Sequence, residues 1–306
     1  MDYELAIVGA GPAGYSASIY AVRAGIKTIL FDKKGGGGLA LLSPNIENYP
    51  GFESITGAEL TDKMKNHASK YTEIKFIEDV KIIDKKNDLF IVTTSSATYE
   101  VKSVLLCMGT EYRKLGVSGE KELQGKGVSY CATCDGFFFK NKTVGVVGGG
   151  NSAVIESIYL KQIGCKEVYL IHRRDQLRAE KAYEDEAHSK KVNFIYNSQV
   201  TKINGTDHVE SLSLNNTKTN ESTTLPVDGV FISIGEEPQN ELAKKMGIKL
   251  DEKGYIVVDK QQRTNIKGVY AAGDITGGLR QVITACAEGA IAALATTEVL
   301  GKQYPY

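Results

Sequence analysis

Short runs of apolar residues that end in glycine recur along this chain, and each predicts a buried strand of a parallel sheet. The first run covers residues 5–8. A helical spacing of apolar and small residues follows over residues 13–24, and Gly25 supplies the glycine that typically ends a helix. A second apolar run, residues 28–31, leads to Asp32. The order strand, helix, strand predicts a βαβ unit.

The same succession of patterns returns in the middle of the chain. Residues 144–147 predict a strand, residues 152–163 a helix that stops at Gly164, and residues 167–171 a second strand. We expect antiparallel hairpins where Thr, Ser, Asn and Asp are frequent, and further single strands elsewhere. The hairpins are predicted at residues 81–101 and 199–227, and the single strands at residues 104–107, 229–234, 255–258 and 268–272.

The second βαβ unit lies inside the first domain in sequence, because a strand of the N-terminal type ends just before Gly273, near the C-terminus. We therefore predict an α/β fold with two three-layer, Rossmann-like dinucleotide-binding domains, one inserted in the other. The chain is expected to cross between them near residues 112–115 and 237–240. These joins divide it into a discontinuous domain, residues 1–113 and 241–306, and an inserted domain, residues 114–240.

Composition narrows the class of protein without identifying it. The 306 residues correspond to about two domains of ordinary size. The 37 basic and 37 acidic side chains balance, so charge gives no indication of a nucleic-acid or acidic-membrane partner. No apolar run approaches the roughly 20 residues of a membrane-spanning helix, and a strand is predicted almost immediately after Met1. We therefore expect no nucleic-acid partner, no membrane and a cytoplasmic location.

Gly9, Gly11 and Gly14 follow the first strand with the spacing of a dinucleotide-binding fingerprint. The first glycine permits the tight turn, the second lets the main chain approach a pyrophosphate, and the third lets the helix pack on the strand. The N–H groups and the dipole at the start of the helix then bind phosphate. Asp32, at the end of the second strand, is placed to accept a ribose hydroxyl. This βαβ unit is predicted to bind a dinucleotide.

The second fingerprint begins at Gly148 and has Ala153 in its last position, which is an allowed variant. The strand that follows leads not to an acid but to a basic cluster of Arg173, Arg174 and Arg178. Guanidinium groups bind a 2′-phosphate in bidentate fashion, whereas a carboxylate would repel it. A solvated charged turn is the alternative interpretation. The cluster predicts a site that prefers NADPH to NADH.

Cys131 and Cys134 form a Cys-x-x-Cys pair just before the second fingerprint. Structural zinc needs about four ligands, and the other cysteines and the histidines lack ligand spacing, so no metal site is predicted. An inert disulfide is rare in a reducing compartment. A redox-active pair is the favoured interpretation, with zinc and a structural disulfide as alternatives, and the three remaining cysteines are expected to be small buried side chains. Asp135 is either a helix cap or a carboxyl that carries the proton of thiol chemistry.

A third stretch combines Gly273 and Asp274 with Arg280, Gln281 and a helix of small residues. The glycine allows close approach of the main chain, and Asp274 can meet a ribityl hydroxyl. The helix that begins near Gln281 can direct its positive end at a flavin ring. One chain would then hold two nucleotide sites and a dithiol, which suggests an electron path from nicotinamide through flavin to a disulfide.

With these motifs the chain resembles the low-molecular-weight thioredoxin reductases over essentially its whole length. The resemblance rests on Gly-Ala-Gly-Pro-Ala-Gly, Glu-Asn-Tyr-Pro-Gly, Cys-Ala-Thr-Cys-Asp-Gly, Gly-Gly-Gly-Asn-Ser-Ala, His-Arg-Arg-Asp-x-x-Arg-Ala and Ala-Ala-Gly-Asp, in this order and spacing. It implies FAD in the discontinuous domain and NADPH in the inserted one. By motif position, the FAD contacts fall on Gly9, Gly11, Pro12, Ala13, Gly14, Asp32, Leu39, Asn48, Gly273, Asp274, Arg280, Gln281 and Val282. The NADPH contacts fall on Gly150, Asn151, Ser152, His172, Arg173, Arg174 and Arg178.

The resemblance also implies roles at the redox pair. Cys134 would be the sulfur next to the flavin, Cys131 the sulfur that attacks the partner disulfide, and Asp135 the acid. Members of the family are usually homodimers. Leu39 stands where the family often has glutamine, so the glutamine contact to the flavin is expected to be lost or replaced by the main chain. Residues 107–108 read Cys-Met where Ala-Thr is common, and both departures concern details of the flavin site and not the fold.

The activity that the resemblance implies is that of an NADPH-dependent flavoprotein, a thioredoxin-disulfide reductase. Electrons would pass from NADPH through FAD and the Cys131–Cys134 pair to the disulfide of thioredoxin or a thioredoxin-like protein. Two alternatives remain. A related flavin disulfide reductase would use a small-molecule disulfide or another electron donor, and a non-catalytic redox sensor would bind flavin without bleaching by NADPH.

Overall fold

A computed structural model of the chain describes residues 2–43 and 45–303. The chain divides into two compact units. Unit 1 consists of Met1–Leu42, Tyr49–Glu111 and Glu237–Tyr306, and unit 2 consists of Ser43–Asn48 and Tyr112–Glu236.

The described chain contains strand–helix alternation in both units, interrupted by two runs of consecutive strands, at residues 73–129 and 193–238. In chain order the first half contains β1 Leu5–Val8, α1 Pro12–Arg23, β2 Thr28–Asp32, α2 Gly57–Ala68, β3 Glu73–Phe76, β4 Val80–Lys86, β5 Leu89–Thr94, β6 Thr98–Val101, β7 Ser103–Leu106, β8 Thr110–Tyr112, β9 Val128–Ser129 and α3 Ala132–Asp135. The second half contains β10 Thr143–Gly148, α4 Asn151–Gln162, β11 Glu167–Ile171, α5 Lys181–Ser189, β12 Asn193–Ile195, β13 Ser198–Asn204, β14 Ser211–Asn216, β15 Ser222–Pro226, β16 Gly229–Ser233, β17 Glu236–Pro238, α6 Glu241–Lys245, β18 Val269–Ala271 and α7 Val282–Leu300.

Unit 1 is built on a parallel sheet with the strand order β18-β7-β1-β2-β3. Successive side chains of β1 point to opposite faces of the sheet, and all four are apolar and buried, so both faces of the strand are buried. Leu5 and Ile7 join a core with residues of α1 and α7, whereas Ala6 and Val8 join a second core with β4, β5 and α6. The antiparallel sheet β4-β5-β6 covers that second face. The predicted βαβ unit and first hairpin are therefore present.

Helix α7 corrects one expectation from the sequence. With 19 residues it is long and apolar enough to cross a membrane by length and composition alone. Its buried side is made of small residues, among them Ala285, Gly289 and Ala292, and this side packs against α1. The main-chain oxygen of Ala13 lies so close to Gly289 that a methyl group there would overlap it. Such close packing of one helix face is also found in the core helices of globular proteins.

Unit 2 repeats the design with a parallel sheet in the order β12-β11-β10-β16-β9. On one face, Val144 and Val146 of β10 pack with Val154 and Ile158 of α4. On the other, Val147 packs with the antiparallel sheet β13-β14-β15, the second predicted hairpin region. Both cores again come from the two-residue alternation of a strand buried on both faces.

Strands β8 and β17 form a separate two-stranded sheet, and the boundaries between the units fall within them. The main chain on either side is also paired. The N–H of Arg113 donates to the carbonyl of Gly235 at 3.0 Å, and the N–H of Gln239 donates to the carbonyl of Gly109 at 3.0 Å. The sequence pattern did not predict these short strands.

One predicted strand is wrong. Residues 255–258 do not join a sheet; within them only Ile256 makes an isolated bridge, to Leu250. The main-chain N–H groups of this segment bond to loops instead, that of Ile256 to the carbonyl of Ile275 at 2.9 Å and that of Val257 to the carbonyl of Lys249 at 3.0 Å. Ile256 is buried in the second core of unit 1 and Val258 packs against it, so these apolar residues are accommodated without a strand.

Candidate functional site

A disulfide joins Cys131 and Cys134 at the start of α3 in unit 2. The carbonyl of Cys131 accepts the N–H groups of Cys134 at 3.2 Å and of Asp135 at 3.1 Å, which closes a short helical turn around the pair. The Thr133 hydroxyl lies 3.4 Å from the Cys131 sulfur, to which it can donate. Both cysteines are partly accessible. The zinc alternative does not fit this pairing, since both thiols are used in the bond.

Asp135 is buried beside the disulfide, with 9% of its surface exposed. Its Oδ2 accepts the hydroxyl of Ser129 at 2.6 Å, and its Oδ1 accepts the hydroxyl of Ser43 at 3.5 Å. Burial raises the pKa of the Asp135 carboxyl, while these two hydrogen bonds oppose the rise. A carboxyl held in this way can take up and release a proton near the disulfide. The sequence did not single out Ser129, because a serine before a cysteine motif is an unremarkable residue.

The other three cysteines are thiols in different surroundings. Cys107 and Cys165 are buried as expected, and burial raises the pKa of the Cys107 thiol well above its usual value and that of Cys165 to about 11. Cys286 is only partly buried, which differs from the expectation. Its pKa is raised by burial to about 11, against the effect of a hydrogen bond with Tyr49. All three therefore remain poorly reactive neutral thiols at pH 7.

The first glycine loop connects β1 to α1 and requires glycine at two positions. Gly9 has φ +107°, and a methyl group on it would overlap the carbonyl oxygen of Cys107. A methyl group on Gly14 would overlap the carbonyl oxygen of Gly9. Gly11 caps α1 in an extended conformation, and Pro12 occupies the first helical position. Because Gly9, Gly11 and Gly14 are glycines, the main chain carries no side chains at these positions near the positive end of α1, where a phosphate can bind.

Asp32 lies at the C-terminal end of β2, as predicted, but its carboxylate is occupied by main-chain donors. Oδ2 accepts the N–H of Ala10 at 2.8 Å, and Oδ1 accepts the N–H groups of Lys34 at 2.7 Å and Gly36 at 3.3 Å. The side chain therefore ties the glycine loop to the loop after β2. Each oxygen has two lone pairs, so Oδ2 retains capacity for a ribose hydroxyl.

A cavity of about 330 Å³ opens beside Asp32 in unit 1. Its volume is at the lower end of ligand sites and suits part of a dinucleotide. Met108 and Gln239 line it, although the sequence analysis did not predict contacts for them. The other lining residues are Val8, Gly9, Phe31, Lys33, Glu78, Asp79, Val80, Lys81, Glu241, Leu242 and Lys245. The glycine loop and this cavity together fit the pyrophosphate and adenosine parts of a dinucleotide such as FAD.

The Gly273 turn is held by a side chain that the sequence analysis missed. Gly273 has φ +82°, and its N–H donates to Oε2 of Glu288 at 2.8 Å. The Thr276 hydroxyl donates to the same oxygen at 3.2 Å. Burial raises the pKa of the Glu288 carboxyl, against the effect of these bonds. Asp274 directly follows the turn, so Glu288 fixes the part of unit 1 that carries this predicted contact.

The remaining predicted flavin contacts are spread over four parts of the chain. Ala13 is buried in the first turn of α1, and Leu39 is half-buried in a short 3-10 helix, Gly38–Leu42. Arg280 donates to the hydroxyl of Tyr255 at 3.3 Å. Gln281 is the N-cap of α7 and Val282 its first residue, which directs the positive end of that helix toward this region of unit 1. Asn48 is exposed and belongs to the segment that packs with unit 2.

The second glycine loop connects β10 to α4 in unit 2. Gly150 caps α4 in an extended conformation, and a methyl group there would meet open space, so a ligand can approach. Asn151 exchanges two hydrogen bonds with Glu180, at 2.8 Å and 2.9 Å. Ser152 is exposed in the first turn of the helix. Its hydroxyl is therefore accessible beside the N–H groups that would bind phosphate.

His172 is buried at the end of β11, with 6% of its surface exposed. Its Nδ1 lies 2.9 Å from the carbonyl oxygen of Gly148, and a methyl group on Gly149 would overlap its ring. Burial lowers the pKa of His172, so the ring is neutral at pH 7. The structure thus places this predicted contact underneath the glycine loop, where it shapes the loop.

Arg173, Arg174 and Arg178 all present exposed side chains next to this loop. Their main chains are fixed. The carbonyls of Arg173 and Arg174 accept hydrogen bonds from Thr217 at 3.1 Å and Asn197 at 3.0 Å, and the N–H of Arg178 donates to Gly149 at 2.7 Å. The backbone is thus rigid while the guanidinium groups remain available, which suits recognition of a phosphate.

Within residues 2–43 and 45–303, no group of three or more His, Cys, Asp or Glu side chains is arranged to hold a metal ion.

Comparisons with known proteins agree with this arrangement. The family model described as "Pyridine nucleotide-disulphide oxidoreductase" matches residues 3–289. The thioredoxin reductase of Listeria innocua is 43% identical over 293 residues, which cover 95% of this chain and 91% of that protein. The thioredoxin reductase of Bacillus subtilis is 42% identical, with 95% and 92% covered. The crystal structure of thioredoxin reductase from Streptococcus pyogenes superposes with a TM-score of 0.93 at 41% identity and covers 98% of each chain.

The family match extends over both glycine loops and the disulfide, and the curated relatives align over nearly the whole chain at more than 40% identity. The chain therefore belongs to the pyridine nucleotide-disulphide oxidoreductases and, within them, to the thioredoxin reductase family.

Proposed function

We propose that this protein reduces the disulfide of thioredoxin, or of a thioredoxin-like protein, with electrons from NADPH. The observation that carries the proposal is the Cys131–Cys134 disulfide beside a buried carboxyl, in the same unit as a glycine loop flanked by arginines. The names of the relatives point to thioredoxin as the partner.

FAD is the cofactor that unit 1 fits best. The Gly9 loop would hold the pyrophosphate, the cavity beside Asp32 the adenosine, and the region of Asp274 and α7 the flavin end. When bound, the flavin supplies two-electron transfer between a reduced nicotinamide and a disulfide. Leu39, in place of the usual glutamine, offers only its main chain for hydrogen bonding there.

NADPH is the nucleotide that unit 2 fits best. The N–H groups at the start of α4 would bind its pyrophosphate, and the arginine cluster its 2′-phosphate. Three positive side chains where a Rossmann unit for NADH has an acid favour the phosphorylated nucleotide.

The dithiol form of the pair would carry out the exchange with the partner. The Cys131 thiol gives its proton to the Asp135 carboxylate, and the thiolate attacks one sulfur of the partner disulfide. The partner's other sulfur leaves as a thiolate and takes up the proton held by Asp135. The Cys134 thiol then loses its proton, and the resulting thiolate attacks Cys131 in the mixed disulfide. This restores the Cys131–Cys134 bond and releases the partner sulfur that was attacked first, which takes up the second proton. Two electrons and two protons have then passed from the enzyme to the partner. Asp135 is the group that we assign to the proton transfer.

A homodimer is part of the proposal. Ile283 and Ile291 are 43% exposed and lie eight residues apart on α7, which places them on one helix face, and Tyr20 on α1 is 42% exposed. A second copy of the chain is the occupant that we propose for this apolar face of unit 1. We further propose that the protein acts in the cytoplasm, where thioredoxin-dependent reduction takes place, without nucleic acid or a membrane.

The test is a set of single substitutions in the FAD-loaded protein. Cys131→Ser and Cys134→Ser should each abolish reduction of thioredoxin, while FAD remains bound and its absorbance is still bleached by NADPH. Cys165→Ser is the matched control, since it makes the same change at a buried thiol outside the redox pair, and it should retain activity. Full activity in either of the first two variants would contradict the proposal.

The same preparations distinguish the two alternatives. A small-molecule disulfide reductase would turn over a low-molecular-weight disulfide faster than any thioredoxin. A redox sensor would bind FAD but show no bleaching when NADPH is added anaerobically. Either result would replace thioredoxin reduction as the function of this chain.

A further inference from the structure

Ser129 ends the edge strand β9 of unit 2, two residues before Cys131, and is 5% exposed. Its parallel pairing with β16, in which it is the partner of Phe231, fixes the main chain at this point. The Ser129 hydroxyl oxygen lies 2.6 Å from Oδ2 of Asp135 and 3.1 Å from the main-chain nitrogen of Cys131. One buried hydroxyl therefore contacts both the carboxyl and the main chain of the redox pair.

The direction of these hydrogen bonds follows from what each group can do. The N–H of Cys131 can only donate, so the Ser129 oxygen accepts it. The single hydroxyl proton then points to Asp135, at a distance typical of a hydroxyl that donates to a carboxylate. The result is a continuous path from the Cys131 N–H through Ser129 to the carboxylate of Asp135.

The same hydroxyl can also serve the protonated carboxyl. The carbonyl oxygen of Cys131 lies 3.4 Å from the Ser129 oxygen and can receive the hydroxyl proton when it rotates. Ser129 then accepts the O–H of a protonated Asp135. A hydroxyl, unlike an N–H group, can both donate and accept, so Asp135 keeps a partner in either protonation state.

The other contacts of Asp135 are weaker. Ser43 lies 3.5 Å from Oδ1, and its hydroxyl also donates to the carbonyl of Asn45 at 2.9 Å. Glu156, Tyr159 and Lys161 are the titratable side chains on α4, which packs against α3, and Glu47 lies in the segment that contains Ser43. Burial, Ser129 and Ser43 are the influences that set the proton affinity of Asp135. Of the two hydrogen bonds, the one from Ser129 is the shorter, at 2.6 Å against 3.5 Å for Ser43.

We propose that Ser129 is a positioning residue of the disulfide exchange, whose hydroxyl stays hydrogen-bonded to Asp135 both when the carboxyl carries the proton of Cys131 and after it has released it. This inference rests on the proposed function, in which Asp135 accepts that proton. The proton moves between the thiol and the carboxyl, and Ser129 takes part in no bond that is broken or formed between heavy atoms.

The first experiment titrates Asp135 in the oxidised, FAD-loaded protein by infrared difference spectroscopy, with Asp135→Asn used to assign the carboxyl band. Ser129→Ala removes the bond that favours the carboxylate, so the midpoint should rise by about one to two pH units. Ser129→Thr and Ser129→Val form a matched pair that differs only in the hydroxyl, and both side chains suit a strand. The threonine variant should titrate like the wild type and the valine variant like the alanine variant.

Ser157→Ala is the control for loss of a buried hydroxyl in the same unit. Ser157 is fully buried, and its hydroxyl donates to the carbonyl of Ala153 at 2.7 Å. This variant should leave the Asp135 midpoint unchanged. A midpoint that does not move in the alanine and valine variants, or that is not restored by threonine, would overturn the proposal.

The second experiment measures kcat/KM for thioredoxin against pH. The acid limb should move upward in the alanine and valine variants by the same amount as the infrared midpoint, and stay in place in the threonine and Ser157→Ala variants. An infrared shift without a shift of the acid limb would show that Ser129 does not act in the reaction. A wild-type protein that reduces no protein disulfide would contradict the proposed function, and the infrared titration would then decide the Ser129–Asp135 coupling by itself.

Discussion

The two βαβ units of this chain have the same order of strand, helix and strand, but the side chains after the second strand are acidic in one unit and basic in the other. In unit 1 the strand after α1 ends at Asp32, whose carboxylate accepts main-chain N–H groups of the surrounding loops. In unit 2 the strand after α4 leads to three exposed arginines, of which Arg178 is tied to the glycine loop through its main chain. The Asp32 carboxylate thus bonds mainly to main-chain groups of the protein itself, whereas the arginine side chains remain available to a ligand.

The glycine loops differ in how closely the helix approaches the strand. Gly14 has no space for a methyl group, because the carbonyl oxygen of Gly9 lies where that group would be. In unit 2 the corresponding residue is Ala153, whose methyl group is buried and leaves no space for a side chain on Gly148. Under the proposed function, the loop backbone would bind phosphate in both units, and the side chains after the second strand would decide which nucleotide is preferred.

The largest expected effect comes from exchanging the two helix residues. Gly14→Ala should destabilise the protein by about 3 kcal/mol or more, since a methyl group would overlap main-chain atoms that cannot move independently. It should also lose FAD. Ala153→Gly should destabilise by only about 1 kcal/mol, the usual effect of glycine within a helix. Unfolding in urea and the flavin content after purification measure both.

Gly150→Ala is the control for this pair, because a methyl group there meets open space and φ is negative. Its stability should stay within about 0.5 kcal/mol of the wild type. Equal destabilisation by Gly14→Ala and Ala153→Gly would show that the two loops do not differ in the way described.

The next effect concerns the charged ends of the units. Arg173→Ala, Arg174→Ala and Arg178→Ala should each weaken NADPH binding about ten- to a hundred-fold, since one charge-assisted bond contributes roughly 1.5–3 kcal/mol. NADH binding should change little, because NADH lacks the 2′-phosphate. Lys190→Ala, an exposed cation elsewhere in unit 2, is the matched control. Titration of the flavin band with each nucleotide gives the affinities, and an equal loss for both would contradict the assignment.

The smallest effect tests the buried carboxyl of unit 1. Burial raises the pKa of Glu288 above its usual value of 4.5, so the folded protein binds this proton more tightly than the unfolded chain. The resulting stabilisation is complete below pH 4.5 and is lost as pH rises through the folded-state pKa. Glu288→Gln keeps an acceptor for Gly273 but has no proton to lose.

The free energy of unfolding of the Glu288→Gln variant should therefore fall less than that of the wild type between pH 4.5 and pH 8. The two proteins should differ by no more than about 1 kcal/mol at neutral pH. Urea unfolding at several pH values measures this difference. Asp135 is the corresponding buried carboxyl of unit 2. The Glu288→Gln variant keeps it and therefore still contains a buried carboxyl. A steeper pH dependence in Glu288→Gln than in the wild type would contradict the sign of the effect.

Local patterns of residues account for the features that depend on neighbours in the chain. Both βαβ units, the two hairpin regions and the helix after Gln281 follow from local periodicity and glycine stops, and the structure contains them. The disulfide partners are three positions apart in the Cys-x-x-Cys pattern, so the sequence favoured a redox-active pair, and the structure contains the disulfide. Helices α2 and α5 escaped prediction because they bury few large apolar side chains; α2 buries Gly57, Leu60, Thr61 and Ala68.

Contacts between residues that are far apart in the chain depend on how the elements pack together. Ser43 meets Asp135 across 92 positions, and Glu288 reaches back 15 positions to the N–H of Gly273. Residues 255–258 have the apolar pattern of a strand, yet their main-chain partners lie in loops, which no local pattern reveals. Periodicity records only which side chains are buried, whereas hydrogen-bond partners and the pKa of a buried carboxyl depend on what packing places beside it.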